Sequence, residues 1–232
     1  MLNWIQVHFP NIYALGWTGD GGWGTAIFQT LYMTFGAALI GGLLGLAFGI
    51  GIVLTADDGI SPHPLAYQIF DKVISIGRAI PFIIMVVIIS PVTQVLVGTT
   101  IGATAALVPL SLGVFPFFAR QVQVALLDVA PGKVEAARSF GASNTDIIRE
   151  VYLREGRSEL IRVSTVTLIS LVGLTAMAGA IGAGGLGTTA IVTGYQRFQP
   201  DVMWLATILV LLFILIIQFV GDFLARHQHH GS

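Results

Sequence analysis

A chain of 232 residues that is 55% hydrophobic and only 10% charged, with a mean hydropathy of +0.85, lies far from the globular norm of about 25% charged residues. Composition makes it an integral membrane protein, surrounded by lipid. A net charge of -1 excludes a basic nucleic-acid surface, and the absence of cysteine excludes disulfides and thiolate metal sites. The expected fold is all-α, a polytopic bundle of five transmembrane helices carrying a two-helix loop on one side.

Residues 1–25 read as an external interfacial segment. Trp4, Trp17 and Trp23 suit a membrane–water boundary, and no lysine or arginine supplies the basic start of a cleaved signal peptide. Residues 26–232 read as the transmembrane domain. Its first span, about 26–56, repeats Gly41, Gly45 and Gly49 on one face, a spacing that lets another helix approach closely. A polar turn from Asp57 to Asp71 follows, in which His63, between Pro62 and Pro64, reads as a solvated loop residue. In the second span, about 73–97, Pro81 and Pro91 each free a backbone carbonyl, as expected of a bent helix lining a cavity. The third, about 101–127, carries Pro109 and Pro116, and Arg120 near its end reads as snorkelling to the interface.

The loop 128–157 is the one long stretch that reads like soluble protein. Lys133, Glu135, Arg138, Asp146, Arg149, Glu150, Arg154, Glu155 and Arg157 require water or a polar partner. Pro131 suits the first position of a helix running to about Phe140, with Glu135 near its positive end. Gly141 can close that helix in a left-handed conformation, and Ser143 with Asp146 forms a variant capping box opening the next. On the second helix, Ile147, Ile148, Val151 and Tyr152 gather into one apolar stripe that fits a partner's groove. From the loop alone, a basic amphipathic segment lying on the membrane surface is the other reading.

The fourth span, about 160–181, is dense in hydroxyls that can bond their own helix backbone: Ser164, Thr165, Thr167, Ser170 and Thr175. Met177 is a flexible side chain among small ones, Gly173, Ala176, Ala178, Gly179 and Ala180. The spacing suits a pore plug and a core filler equally. The run from Gly182 to Gly187 matches G-x-G-x-x-G with Asp201 beyond it. With membrane helices on both sides and no preceding strand, it reads as a tightly packed turn instead of a dinucleotide site. The fifth span, about 202–224, leads to a tail, RHQHHGS, that reads as a solvated end.

With the loop placed inside, Arg197 alone of the 11 lysines and arginines falls outside. The positive-inside pattern then sets the N-terminus external and the C-terminus cytoplasmic, in a multi-pass protein of the cytoplasmic (inner) membrane. No phosphate-binding G-x-x-x-x-G-K-[ST] loop occurs; around Gly132-Lys133, Leu127 and Val134 occupy the positions needing glycine and a hydroxyl. Charged residues are missing from mid-span, where an ion-coupled carrier often needs them, and no metal or nucleophile constellation stands out. The chain reads as no enzyme, without catalytic residues or a cofactor of its own, and its energy is expected from a partner.

Glu135-Ala136-Ala137, Gly141, Val151 and Leu153 resemble the EAA coupling motif of ABC importer permeases, E-A-A-x3-G-x9-I-x-L-P. Val151 stands for the isoleucine. Arg154 stands for the proline, so the second helix can continue towards Gly156. GRAIPF (77–82), VGTTIGATAALVPL (97–110), LISLVGLTAMAGAIGAGGLG (168–187) and GYQRFQPDVMW (194–204) look like the permease subunit of methionine ABC importers.

That resemblance implies a homodimer of permease copies with five membrane helices each and two ATP-binding subunits that hold ATP and Mg. It also implies an external substrate-binding protein that delivers methionine or a closely related amino acid. Glu135, Ala136, Ala137, Gly141, Ile147, Ile148, Val151 and Leu153 would couple to the ATPase, and Met177 would lie near the two-fold pore axis as a gate. A permease for polar amino acids, or a partner-independent secondary carrier or channel, is the alternative.

Overall fold

A computed structural model describes residues 6–228, and the side chains of residues 6–226. Trp4 and the tail residues His229 and His230 lie outside that range. The helices are α1 (Pro10–Leu15), α2 (Trp23–Thr55), α3 (Pro64–Ala79), α4 (Phe82–Val97), α5 (Ala103–Leu127) and α6 (Pro131–Ser139). A short α7 (Asn144–Asp146) widens into a π-helical turn, Ile147–Leu153, and α8 (Arg157–Ala180) follows. A short α9 (Gly185–Thr188) likewise widens into Thr189–Tyr195, and α10 (Pro200–Gln228) ends the described chain. The fold is all-α, and four of these helices are long and apolar enough to cross a membrane, or five spans if α3 and α4 count as one.

The expected second span is two helices instead of one. Ile80, held extended (φ -80°, ψ 119°) by the ring of Pro81, ends α3, and α4 starts afresh at Phe82. Pro91, in an equally apolar setting, leaves α4 unbroken. Its missing N–H orphans the carbonyl of Val87, and the hydroxyl of Ser90 donates to that oxygen at 2.9 Å. His63 is an exposed loop residue, as read, and it has a further role: its Nδ1 accepts from Ala66 N at 3.2 Å and caps α3.

Two compact units divide the chain. One comprises the chain up to Leu39 with Pro81–Ser111 and Leu168–Ile216. Its core gathers Trp23, Ala26, Leu186, Val202 and Ala206, and the Trp23 indole N–H donates to Ile12 O at 3.0 Å, tying down α1. The glycine run after α8 packs backbone against backbone: a Cβ on Gly187 would sit 2.5 Å from Ala176 Cα. Gly185 N–H donates to Gln29 Oε1 at 2.7 Å and Leu186 N–H to Thr30 Oγ1 at 2.8 Å, so side chains of α2 clamp this turn.

The other unit comprises Ile40–Ile80, Leu112–Thr167 and the chain from Ile217. Gly41, Gly45 and Gly49 are all buried, and the last two let α5 touch α2: a Cβ on Gly49 would meet Val122 at 2.6 Å. Arg120 does more than reach for the interface. It pairs with Asp71 of α3 at 2.7 Å and donates to Ser75 Oγ at 3.1 Å and Gln123 Oε1 at 2.7 Å, fixing α5 to α3. In α8, Ser164, Thr165 and Thr167 donate to the carbonyls four residues back, as their spacing suggests.

Candidate functional site

The segment 128–157 forms a bent elbow whose local chemistry follows the sequence closely. Pro131 begins α6. The helix closes at Gly141 (φ 80°), where Ala142 N–H donates to Ala137 O at 3.1 Å and Gly141 N–H to Arg138 O at 2.9 Å, the paired bonds of a Schellman cap. Beyond the corner, Asp146 N–H donates to Ser143 Oγ at 3.2 Å while Ser143 N–H donates to Asp146 Oδ2 at 3.0 Å. The capping box is therefore complete. Hydrogen bonds from the Ser143 hydroxyl and N–H, reinforced by the charge of Arg149, hold the Asp146 carboxyl below its ordinary range. Past Leu153 the backbone remains helical at Arg154 (φ -74°, ψ -50°), as arginine in place of a proline permits.

The apolar stripe of the second arm turns inward. Ile147 is fully buried and Tyr152 is 8% exposed, packed in one cluster with Ile52, Leu126, Val129 and Val134. Burial, with the charge of Asp58 nearby, pushes the Tyr152 hydroxyl above its ordinary value. Ile148, Val151 and Leu153 are half-buried against the same cluster. This differs from the expectation that the stripe is offered whole to a partner. An amphipathic pattern shows which residues share a face, and here the chain's own unit covers most of that face.

Of the motif residues, those left outside belong to the first arm and the corner. Glu135, Ala136 and Gly141 are exposed and Ala137 half-buried. Phe140, which the sequence pattern did not single out, is 91% exposed at the tip. Periodicity carries no signal for it, because a lone phenylalanine ahead of a glycine reads equally well as core. Two further contacts brace the elbow: the Arg138 guanidinium donates to Ile60 O, and Lys133 pairs with Glu155 across the two arms. Clefts of about 270 and 290 Å³ flank it, the first lined by Asp58, Glu135, Arg138 and Tyr152 and the second by Asp128, Lys133, Glu159 and Arg162.

Met177, on α8, is 40% exposed and is thus no fully packed core residue. Among the described residues no cluster of three or more histidine, aspartate or glutamate side chains could hold a metal ion. The elbow is a braced bend with an exposed aromatic at its corner and charged flanks.

Comparison with known proteins gives the same outline over nearly the whole chain. A Haemophilus influenzae protein named probable D-methionine transport system permease protein MetI is 43% identical over 211 residues, spanning 90% of this chain and 99% of its own. The Bacillus subtilis methionine import system permease protein MetP is 41% identical, spanning 87% and 90%. Among solved structures, an inward-facing MetNI methionine ABC transporter matches with a TM-score of 0.87 and 40% identity over 89% of this chain and 95% of that one. An amino acid ABC transporter crystallised with histidines shares the fold, with a TM-score of 0.72 at 19% identity over 97% of each chain. Residues 41–230 match the family described as binding-protein-dependent transport system inner membrane component, and the chain belongs to that family.

Proposed function

We propose that this chain is the membrane-spanning permease subunit of an ATP-driven importer of methionine or a closely related amino acid, in which the elbow receives mechanical work from an ATP-binding partner. Two copies of the chain form the pathway, two ATP-binding subunits hold ATP and Mg, and an external binding protein delivers the substrate. The elbow then lies in the cytoplasm, with the N-terminus outside and the C-terminus inside, in keeping with the positive-inside rule.

The observation that carries this reading is the division of labour within 128–157. Ile147 and Tyr152 bolt the second arm into the chain's own core, while Phe140 stands 91% exposed beside Gly141. An exposed aromatic on an anchored support has the form of a binding hot spot, because the backbone that carries it is already ordered before docking. Glu135, Ala136, Ala137 and Gly141 form the docking face with it, Ile148, Val151 and Leu153 support that face from the second arm, half-buried against the core, and Ile147 transmits force from inside. ATP-driven closure of the partner subunits would carry both elbows of the dimer together and open the pathway outward. Met177 is assigned to the gate, its partly exposed side chain meeting that of the second copy.

Uptake of labelled methionine into vesicles tests the reading. It is expected only when the chain, its ATP-binding subunits, its binding protein and ATP are all present. Uptake by the chain alone would mean a partner-independent carrier or channel.

A further inference from the structure

The chain turns three helix ends with the same pair of hydrogen bonds. At the end of α6 the left-handed residue is Gly141 (φ 80°), and at the end of α8 it is Gly182 (φ 97°), where Ala183 N–H donates to Ala178 O at 3.1 Å and Gly182 N–H to Gly179 O at 3.3 Å. At the third corner, after Tyr195, Gln199 N–H donates to Gly194 O at 2.8 Å and Phe198 N–H to Tyr195 O at 3.2 Å. The left-handed residue there is Phe198 (φ 56°), the only non-glycine with positive φ among the described residues. Glycine takes this conformation without the penalty that a Cβ brings, and a bulky side chain there is strained. Nor does packing within the chain compensate, since Phe198 is 90% exposed and Tyr195, one turn back, is 70% exposed.

We propose that Tyr195, Arg197 and Phe198 form a prong that docks into the substrate-delivering binding protein, with Phe198 as its anchor; this rests on the importer reading above. A position where glycine would relieve strain, yet where an aromatic ring projects into solvent, gains its ring's value from something outside the chain. The family is binding-protein-dependent, so that class of partner is available. A fixed direction distinguishes a protein pocket from lipid: fluid acyl chains accept an aromatic on any relaxed backbone, whereas a pocket requires the ring at one angle. The backbone that carries the ring is fixed here, because Gly194 lies flush against α10, where a Cβ would meet Met203 Cα at 2.7 Å. Exposed Arg197 gives the prong a positive charge and favours an acidic or polar rim on the partner.

The decisive variant is Phe198→Gly, which removes the ring and the strain together. In the complete transporter in nanodiscs, probed with the methionine-loaded binding protein of the same organism, it is expected to weaken that protein's binding roughly tenfold or more. Melting temperature is expected to hold or rise, and Phe198→Trp to retain most of the affinity. Unchanged binding in Phe198→Gly overturns the prong and leaves the importer reading intact. A lowered melting temperature in Phe198→Gly assigns the ring a structural role and also overturns it, as does a change only in detergent extraction from lipid, the mark of a membrane anchor. Because the chain has no cysteine, Gln196→Cys can be labelled cleanly from outside with a membrane-impermeant maleimide. Labelling from the cytoplasmic side alone, or a wild-type complex that does not engage the binding protein, overturns both readings.

Discussion

The corner at Gly141 and the corner at Phe198 are built from the same two backbone hydrogen bonds, and they differ in which residue bears the left-handed turn. At the first, glycine turns the chain and Phe140, in relaxed geometry (φ -84°, ψ 4°), is carried beside it. At the second, the phenylalanine itself turns, at a cost of roughly 1–3 kcal/mol for a non-glycine in that region. An exposed ring can thus be presented by a relaxed corner or a strained one. The relaxed corner is buttressed by Ile147 and Tyr152 in its own core, whereas the strained one relies on backbone bonds and the close seat of Gly194 on α10.

That contrast breaks most severely from within the elbow. Ile147→Ala removes a fully buried side chain, and truncations of this kind cost about 2–5 kcal/mol. The expected result is a lower melting temperature in detergent and loss of ATP-driven uptake, without any change to the exposed tip. If melting is unaffected, the elbow is not anchored from inside and the lever argument fails. Gly141→Val comes next. Open space surrounds this glycine, with nothing within 4 Å of an added Cβ, so the substitution acts through the backbone, by about 1–2 kcal/mol for a left-handed L-residue and more for a β-branched one. Co-purification with the ATP-binding subunits and uptake should both fall; if both hold, the corner does not need its glycine.

Phe140→Ala sharpens the comparison further. Truncating a ring that is 91% exposed should leave folding within about 0.5 kcal/mol of the parent, while association with the ATP-binding subunits weakens roughly tenfold, as for an interface hot spot. Phe198→Gly should leave that association alone. Equal loss of ATP-binding subunits from both variants would show that the two corners do not have separate partners.

Much of the elbow was legible because its signals are local. Pro131, Gly141 and the Ser143–Asp146 pair each act on the backbone within a few residues, and each does what its chemistry dictates. The apolar runs announced the membrane helices for the same reason. Less legible was anything set by what lies opposite. Pro81 breaks a helix and Pro91 does not, a difference that rests partly on the Ser90 hydroxyl reaching Val87 O. The stripe of Ile147 and Tyr152 was visible, but its cover was not. Arg120 looked like a snorkelling residue until Asp71, 49 positions away, appeared beside it. Phe198 left no trace at all, since sequence patterns assign left-handed corners to glycine or asparagine.

The smallest effect expected lies in the hinge of the relaxed corner. Ser143→Ala removes the hydroxyl that accepts from Asp146 N and donates to its carboxylate, a cap loss typically of about 0.5–2 kcal/mol. It should appear as faster amide exchange over 144–147, with melting of the whole protein little changed. The sign of the pH dependence gives a second check. Since these bonds lower the folded-state pKa of Asp146 below its ordinary 3.8, the stabilisation is present above that value and is lost as pH falls through the folded pKa. Exchange protection of wild type over Ser143→Ala should therefore persist at neutral pH and shrink in acid. A gap that instead widened in acid would mean that the neutral carboxylic acid, and not the carboxylate, holds the cap. Among the described residues no side-chain hydrogen bond caps the strained corner, Tyr195 to Gln199, so Ser143→Ala should leave its exchange untouched, a difference that separates a corner followed by a side-chain cap from one held by backbone bonds.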